Sequence, residues 1–228
     1  PWMADSTLDL DRVLQLAAEH AAPADRARLQ TFGRAFLRGL ERGDPAGERA
    51  VSLRVADAFA FAARRAPGAI EASVTSPDDR PGRSVLQLVQ DDRPFIVATV
   101  RLLLRRLGLR ARVFLHPVLA VRRSDDGRLV AVDEPGAPLE SLLYVELTPR
   151  LEAPARREEV RAQLLGMMEQ VRDVTDDFGR MVRALREASA RVEFAGRLLP
   201  DGVERARRVR TFLDWLIEGH FLLLGVRR

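Results

Sequence analysis

Asp91, Asp92 and Arg93, with Phe95 close behind and His116 further along, are the residues whose types and spacing come closest to a site. Two adjacent carboxylates and a guanidinium at a strand-to-helix junction can recognise a charged ligand or partner. They can equally serve the helix, because carboxylates at its start meet free N–H groups and the positive end of the macrodipole, worth about 0.3–1 kcal/mol each. His116, beside Pro117, reads either as a hydrogen-bonded structural histidine or as a ligand contact. The other two histidines, His20 and His220, are too dispersed to make a metal site with it.

Missing residue types narrow the chemistry further. The chain has no cysteine, which removes thiol catalysis, disulfide frameworks and Cys-rich zinc sites and fits a reducing compartment. All 37 basic residues are arginine, and Lys and Asn do not occur, a bias that fits a GC-rich genome. Without Lys there is no P-loop lysine, no Schiff base and no lysine-assisted amino-acid dehydrogenase site. Several enzyme classes drop out on chemistry alone.

The elements that must position these residues follow from periodicity. Leu8, Val13, Leu16 and Ala17 start an amphipathic helix; Leu29, Phe32, Phe36, Leu37 and Leu40 mark a second after Pro23. Gly43-Asp44-Pro45 interrupts, and Leu53, Phe59 and Phe61 mark a third helix that ends at Pro67-Gly68. Alternation then predicts a strand at Ile70, Ala72 and Val74 and a central one over 85–89. Ile96, Val100, Leu103, Leu104 and Leu107 repeat at helical spacing, with Arg101 and Arg105 toward water and Gly108 as the stop. A long strand follows through 111–122, where Pro117 implies an edge or a bulge. Asp125-Asp126-Gly127 is a hairpin turn back to Leu129, Val130 and Val132, and a last sheet strand runs over Leu142 to Leu147. Two helices, over 160–171 and 178–192, are expected to break near Thr175-Asp176-Asp177 into a hairpin. A final helix is capped by Asp201, and Met167 and Met168 are core filler. Phe221 to Val226 reads as a strand begun at His220 that stops with no solvated tail, so the native chain is expected to continue.

With 46% hydrophobic residues in 228, the chain can bury one or two cores unaided. No run approaches the roughly 20 apolar residues of a membrane span, and the start lacks a signal peptide's pattern. A cytoplasmic protein that does not engage membrane is the expectation. Arg105, Arg106, Arg110, Arg112, Arg122 and Arg123 lie close in sequence and suit phosphate groups, as in RNA-binding α/β folds or nucleotide effectors. Phe114 alone offers a stacking ring there, and 33 acidic residues nearly balance the arginines. Nucleic acid is therefore a minor alternative.

Three strings, in this order, carry a resemblance: Asp91-Asp92-Arg93-Pro94-Phe95-Ile96-Val97, then Leu115-His116-Pro117-Val118-Leu119-Ala120-Val121-Arg122, then His220-Phe221-Leu222-Leu223-Leu224-Gly225. Together they resemble the N-terminal ACT-like region of the large bacterial NAD-specific glutamate dehydrogenases. The first is similar to the ligand loop of ACT regulatory modules, although Phe95 stands at that loop's glycine and Ala98-Thr99 where the dehydrogenases more often show Asp-Ser. The resemblance implies an α+β fold, with an ACT-like, mainly antiparallel sheet covered by helices, preceded by a helical N-terminal segment and followed by a helical hairpin. The division it suggests is 1–67 helical, 68–173 ACT-like, and 174–228 helices and a terminal strand leading into the next module. It implies a non-catalytic regulatory or assembly role in an enzyme that converts glutamate to 2-oxoglutarate and ammonia. NAD would bind elsewhere in the parent, with no cofactor in this chain. Expected partners are the rest of the same polypeptide, further copies of it and an amino-acid effector at Asp91, Asp92, Arg93, Phe95 and His116. A purely structural oligomerisation module is the alternative.

Overall fold

Residues 84–91 and 139–148 carry apolar side chains at both odd and even positions, so the sheet they form must be covered on both faces. A computed structural model describes residues 8–39, 47–198 and 200–217 and shows both covers. Three helices come first: α1 Leu10–Ala18, α2 Arg26–Phe36 and α3 Glu48–Ala62. Six strands follow, with one helix among them: β1 Glu71–Thr75, β2 Ser84–Asp91, α4 Ile96–Arg106, β3 Arg110–Leu115, β4 Val118–Arg123, β5 Leu129–Val132 and β6 Leu139–Thr148. Two helices close the described chain, α5 Pro154–Gly196 and α6 Gly202–Trp215. The chain forms two units, Pro1–Met168 and Glu169–Arg228.

In the first unit every strand pairing is antiparallel, in the order β1-β2-β6-β4-β5, with β3 also on β6. Strands β2 and β3 both run against β6 and flank it, so β2, α4 and β3 make a split β-α-β unit. Val85, Val89, Leu142 and Tyr144 point to one side and meet Val13, Phe32, Phe36, Val55 and Phe59 of α1–α3. The Tyr144 ring takes Phe36 edge-on at 5.9 Å. Leu86, Leu88, Leu143 and Val145 point to the other side and meet Ile96, Val100 and Leu103 of α4 and Val160, Leu164 and Met168 of α5. Each such side chain contributes roughly 1.5–3 kcal/mol when fully buried, which is what holds three layers together.

The long strand expected over 111–122 is β3 and β4, paired to one edge of β6 in a single register from Val113 to Ala120. Pro117 interrupts only its outer side: its carbonyl accepts the Leu142 N–H at 3.0 Å, and β5 pairs only from Val121 onward. The bulge lies instead at Arg112, where the register shifts between Ala111 and Val113. Asp9 caps α1 by accepting the N–H groups of Asp11 and Arg12, a cap that periodicity alone did not mark. Asp201 does precede α6, but in a left-handed conformation and with no side-chain cap.

In the second unit, no break occurs at Thr175-Asp176-Asp177. Thr175 turns its hydroxyl back onto the carbonyls of Val171 and Arg172, Asp177 pairs with Arg180 one turn on, and α5 continues to Gly196. The helix pair therefore turns after Gly196 and consists of α5 and α6. In this unit Met181, Ser189, Gly196, Gly202 and Ala206 are buried, while Phe178, Phe194, Leu198, Val203, Phe212 and Trp215 remain exposed. The readings made for Leu40, His220 and the strand over 221–226 lie outside the described residues.

Candidate functional site

Consecutive side chains on a strand point to opposite faces, and this separates the two carboxylates. Asp91 ends β2 on the α3 side and pairs with Arg65, whose side chain is buried. Arg65 also lies 3.5 Å from Glu140, which Arg123 holds at 2.8 and 2.9 Å. Asp91 is thus part of an ionic lattice that fastens the end of α3 to the sheet. Neither aspartate caps α4, which starts later, at Ile96, with Phe95 in the N-cap position and no side-chain cap.

Asp92 goes the other way. Its N–H donates to the Leu139 carbonyl at 2.9 Å, and its Oδ1 accepts the Ser141 hydroxyl at 2.5 Å. The Ser141 Oγ in turn lies 3.1 Å from His116 Nε2. With its hydroxyl proton committed to Asp92, Ser141 accepts from an Nε2–H, which assigns the His116 tautomer. Burial pulls the His116 pKa below its ordinary value, with the Asp92 charge opposing the shift, so the imidazole is neutral near pH 7. The structure therefore unites Asp92 and His116 through a residue that sequence reasoning missed. Ser141 was hidden because Glu140 and Ser141 follow a Pro/Gly-rich stretch and read as loop, although both are buried on β6.

Two exposed apolar side chains, Val118 and Leu139, stand by this polar chain in the sheet, and Phe95, also exposed, follows three residues after Asp92. Val118 lies opposite Ser141, and Leu139 is two residues from it, so all share one sheet face. Phe95 has φ 74°, the left-handed region where a glycine is usual. Holding a phenylalanine there costs about 1–2 kcal/mol, strain of a kind that gathers at ligand clamps. Arg93 is half-buried beside them.

Nucleophilic catalysis does not fit this geometry. A hydrolytic triad has its histidine between serine and carboxylate; here the serine stands in the middle, and Ser141 is fully buried. Among the described residues no group of three His, Cys, Asp or Glu side chains could hold a metal. What the arrangement can do is present an oriented carboxylate and an imidazole, rimmed by apolar surface, to something that docks. The arginines flanking the α4–β3 turn do not form a stacking platform: Phe114 is covered by Arg101 at 4.8 Å.

A family model for the glutamate dehydrogenase ACT1 domain matches residues 32–164. The chain is 30% identical over 234 residues to an NAD-specific glutamate dehydrogenase of Halomonas elongata, an alignment covering 97% of the chain and 14% of that protein. It is 31% identical to the enzyme of the same name from Pseudomonas aeruginosa, over 62% of the chain and 9% of the relative. The Mycobacterium tuberculosis counterpart is 32% identical, over 72% and 10%. The chain thus spans a small part of the length of each curated relative it matches.

Proposed function

We propose, from the premise that the chain belongs to the glutamate dehydrogenase ACT1 domain family, that it is a non-catalytic regulatory and assembly segment of a cytoplasmic NAD-dependent glutamate dehydrogenase. The parent would convert glutamate to 2-oxoglutarate and ammonia, with NAD and the reacting groups held outside this segment. The observation that carries the reading is the junction between β2 and α4. There a strained Phe95 follows three residues after Asp92, whose chain through Ser141 to His116 runs across the central strand β6. An amino-acid effector would place its ammonium on Asp92 and its side chain against Phe95, Val118 and Leu139.

Exposed Phe212 and Trp215, whose rings stack at 6.2 Å, together with exposed Phe194 in the same unit support an assembly role, since exposed apolar surface is what partners cover. No described helix is long and apolar enough to cross a membrane. The structural alternative, assembly without any small ligand, is favoured by the bulk of Phe95, which keeps a ligand from approaching the backbone. Sedimentation of the purified chain across a concentration series, alongside a glutamate-dependent NAD reduction assay, tests the shared claim. Reversible self-association with no turnover is expected; turnover by this chain, or a strict monomer at every concentration, contradicts it.

A further inference from the structure

On the α3 side of the sheet, beyond the Arg65–Asp91 pair, α3 ends by pairing with the hairpin between β4 and β5. Arg65 N–H donates to Gly127 O and Leu129 N–H to Ala63 O, both at 2.9 Å, and Arg64 and Arg128 form an antiparallel bridge. Arg123 adds bonds to Gly127 O at 2.9 Å and Ala62 O at 3.0 Å, so the junction is held from both sides. Two arginines are thereby fixed directly opposite each other, an arrangement that like charges disfavour unless an anion lies between them. Asp126 supplies one carboxylate, 3.1 Å from Arg128 Nε and 3.7 Å from Arg64 Nη2.

Beside this pair lies a cleft of about 180 Å³, floored by Phe59, Ala63 and Leu129 and rimmed by Arg28, Arg64 and Arg128 with Asp25. Arg28 is engaged by Asp25 at 2.6 Å. The lining holds three guanidinium groups and one carboxylate, Asp25, and Asp126 adds a second carboxylate from outside it beside Arg64 and Arg128, so among these groups one positive charge is left over an apolar floor. The cleft is smaller than the roughly 300–1,000 Å³ that drug-sized ligands occupy, so a small molecule suits it.

We propose that this cleft binds a small monocarboxylate with an apolar body, its carboxylate on the cleft side of Arg64 and Arg128, sharing the two guanidinium groups with Asp126, and its hydrocarbon part on Phe59 and Leu129. A guanidinium fork matches a carboxylate with two parallel bonds, and a neighbouring apolar floor rewards a ligand that phosphate could not imitate. The cleft shares no lining residue with the Asp92–Ser141–His116 chain.

Isocaproate is a suitable probe, with isocaproamide and inorganic phosphate as controls, read by amide NMR shifts of the full chain. Saturable shifts at Ala63 and Leu129 are expected with isocaproate alone. The Arg64→Gln/Arg128→Gln double variant should weaken the dissociation constant by about tenfold or more, whereas Arg105→Gln, outside the cleft, should leave it unchanged. Both changed side chains are mostly exposed, and the variant's unperturbed amide spectrum reports that the fold is kept. No saturation up to tens of millimolar overturns the proposal. So does equal binding of the amide, which would make the arginines irrelevant, or of phosphate, which would make the floor irrelevant.

Discussion

Arg54 and Glu146 meet at 2.7 Å between α3 and the sheet, each side chain only 2% exposed. Arg83 closes on the other oxygen of Glu146 from the β1–β2 loop. Such a pair adds little net stability over an apolar replacement, because desolvation offsets its attraction, but removing one partner strands a buried charge. Because Arg83 still holds Glu146, Arg54→Met is expected to cost about 1–3 kcal/mol in urea unfolding, and adding Glu146→Leu should recover much of it. A loss below about 1 kcal/mol for Arg54→Met would mean that the charge finds water. His116 offers a second test at this scale. Its native pKa lies below the 6.5 of the unfolded chain, so between those values the unfolded state binds the extra proton. Stability should fall as pH drops below about 6.5 and level off below the native pKa. His116→Gln should flatten that part of the profile between pH 7.5 and 5.5; identical profiles would place the imidazole in solvent.

The joint between α3 and the β4–β5 hairpin depends on Gly127. Its φ is +81°, and an added Cβ would collide with the carbonyl of Arg65. Gly127→Ala is therefore expected to lower stability by about 2 kcal/mol or more and to unprotect the Leu129 amide from exchange. A change below about 0.5 kcal/mol would show that the hairpin does not lock the helix. Turn chemistry made this element legible in the sequence, since Asp-Asp-Gly asks for positive φ. Periodicity likewise marked α1 to α4 and the odd and even faces of β2. The expected break at Thr175-Asp176-Asp177 failed for a local reason: the Thr175 hydroxyl bonds back to Val171 and Arg172 and Asp177 pairs with Arg180 within the same helix. Asp91 and Asp92 failed as caps because β2 extends to Asp91 and α4 starts only at Ile96, and each carboxylate goes to a different long-range partner, Arg65 and Ser141, which no local pattern encodes.

At the scale of the whole molecule, the antiparallel sheet between two helical layers was readable because each strand's apolar alternation demanded a cover. What could not be read was that α1–α3 supply one of those covers. That packing rests on contacts such as Phe36 on Tyr144, more than a hundred residues apart and invisible to any window of sequence. The same holds for the site, where Asp92 and His116 were visible as candidates while Ser141, Val118 and Leu139 joined them only through strand register. The reading as a regulatory segment turns on whether that juxtaposition recognises an amino acid. Isothermal titration of the full chain with each protein amino acid, in parallel with Asp92→Ala, tests it most directly. The account predicts saturable heat for at least one amino acid and its loss in the variant. Silence across the whole set, or binding that Asp92→Ala leaves intact, would contradict it.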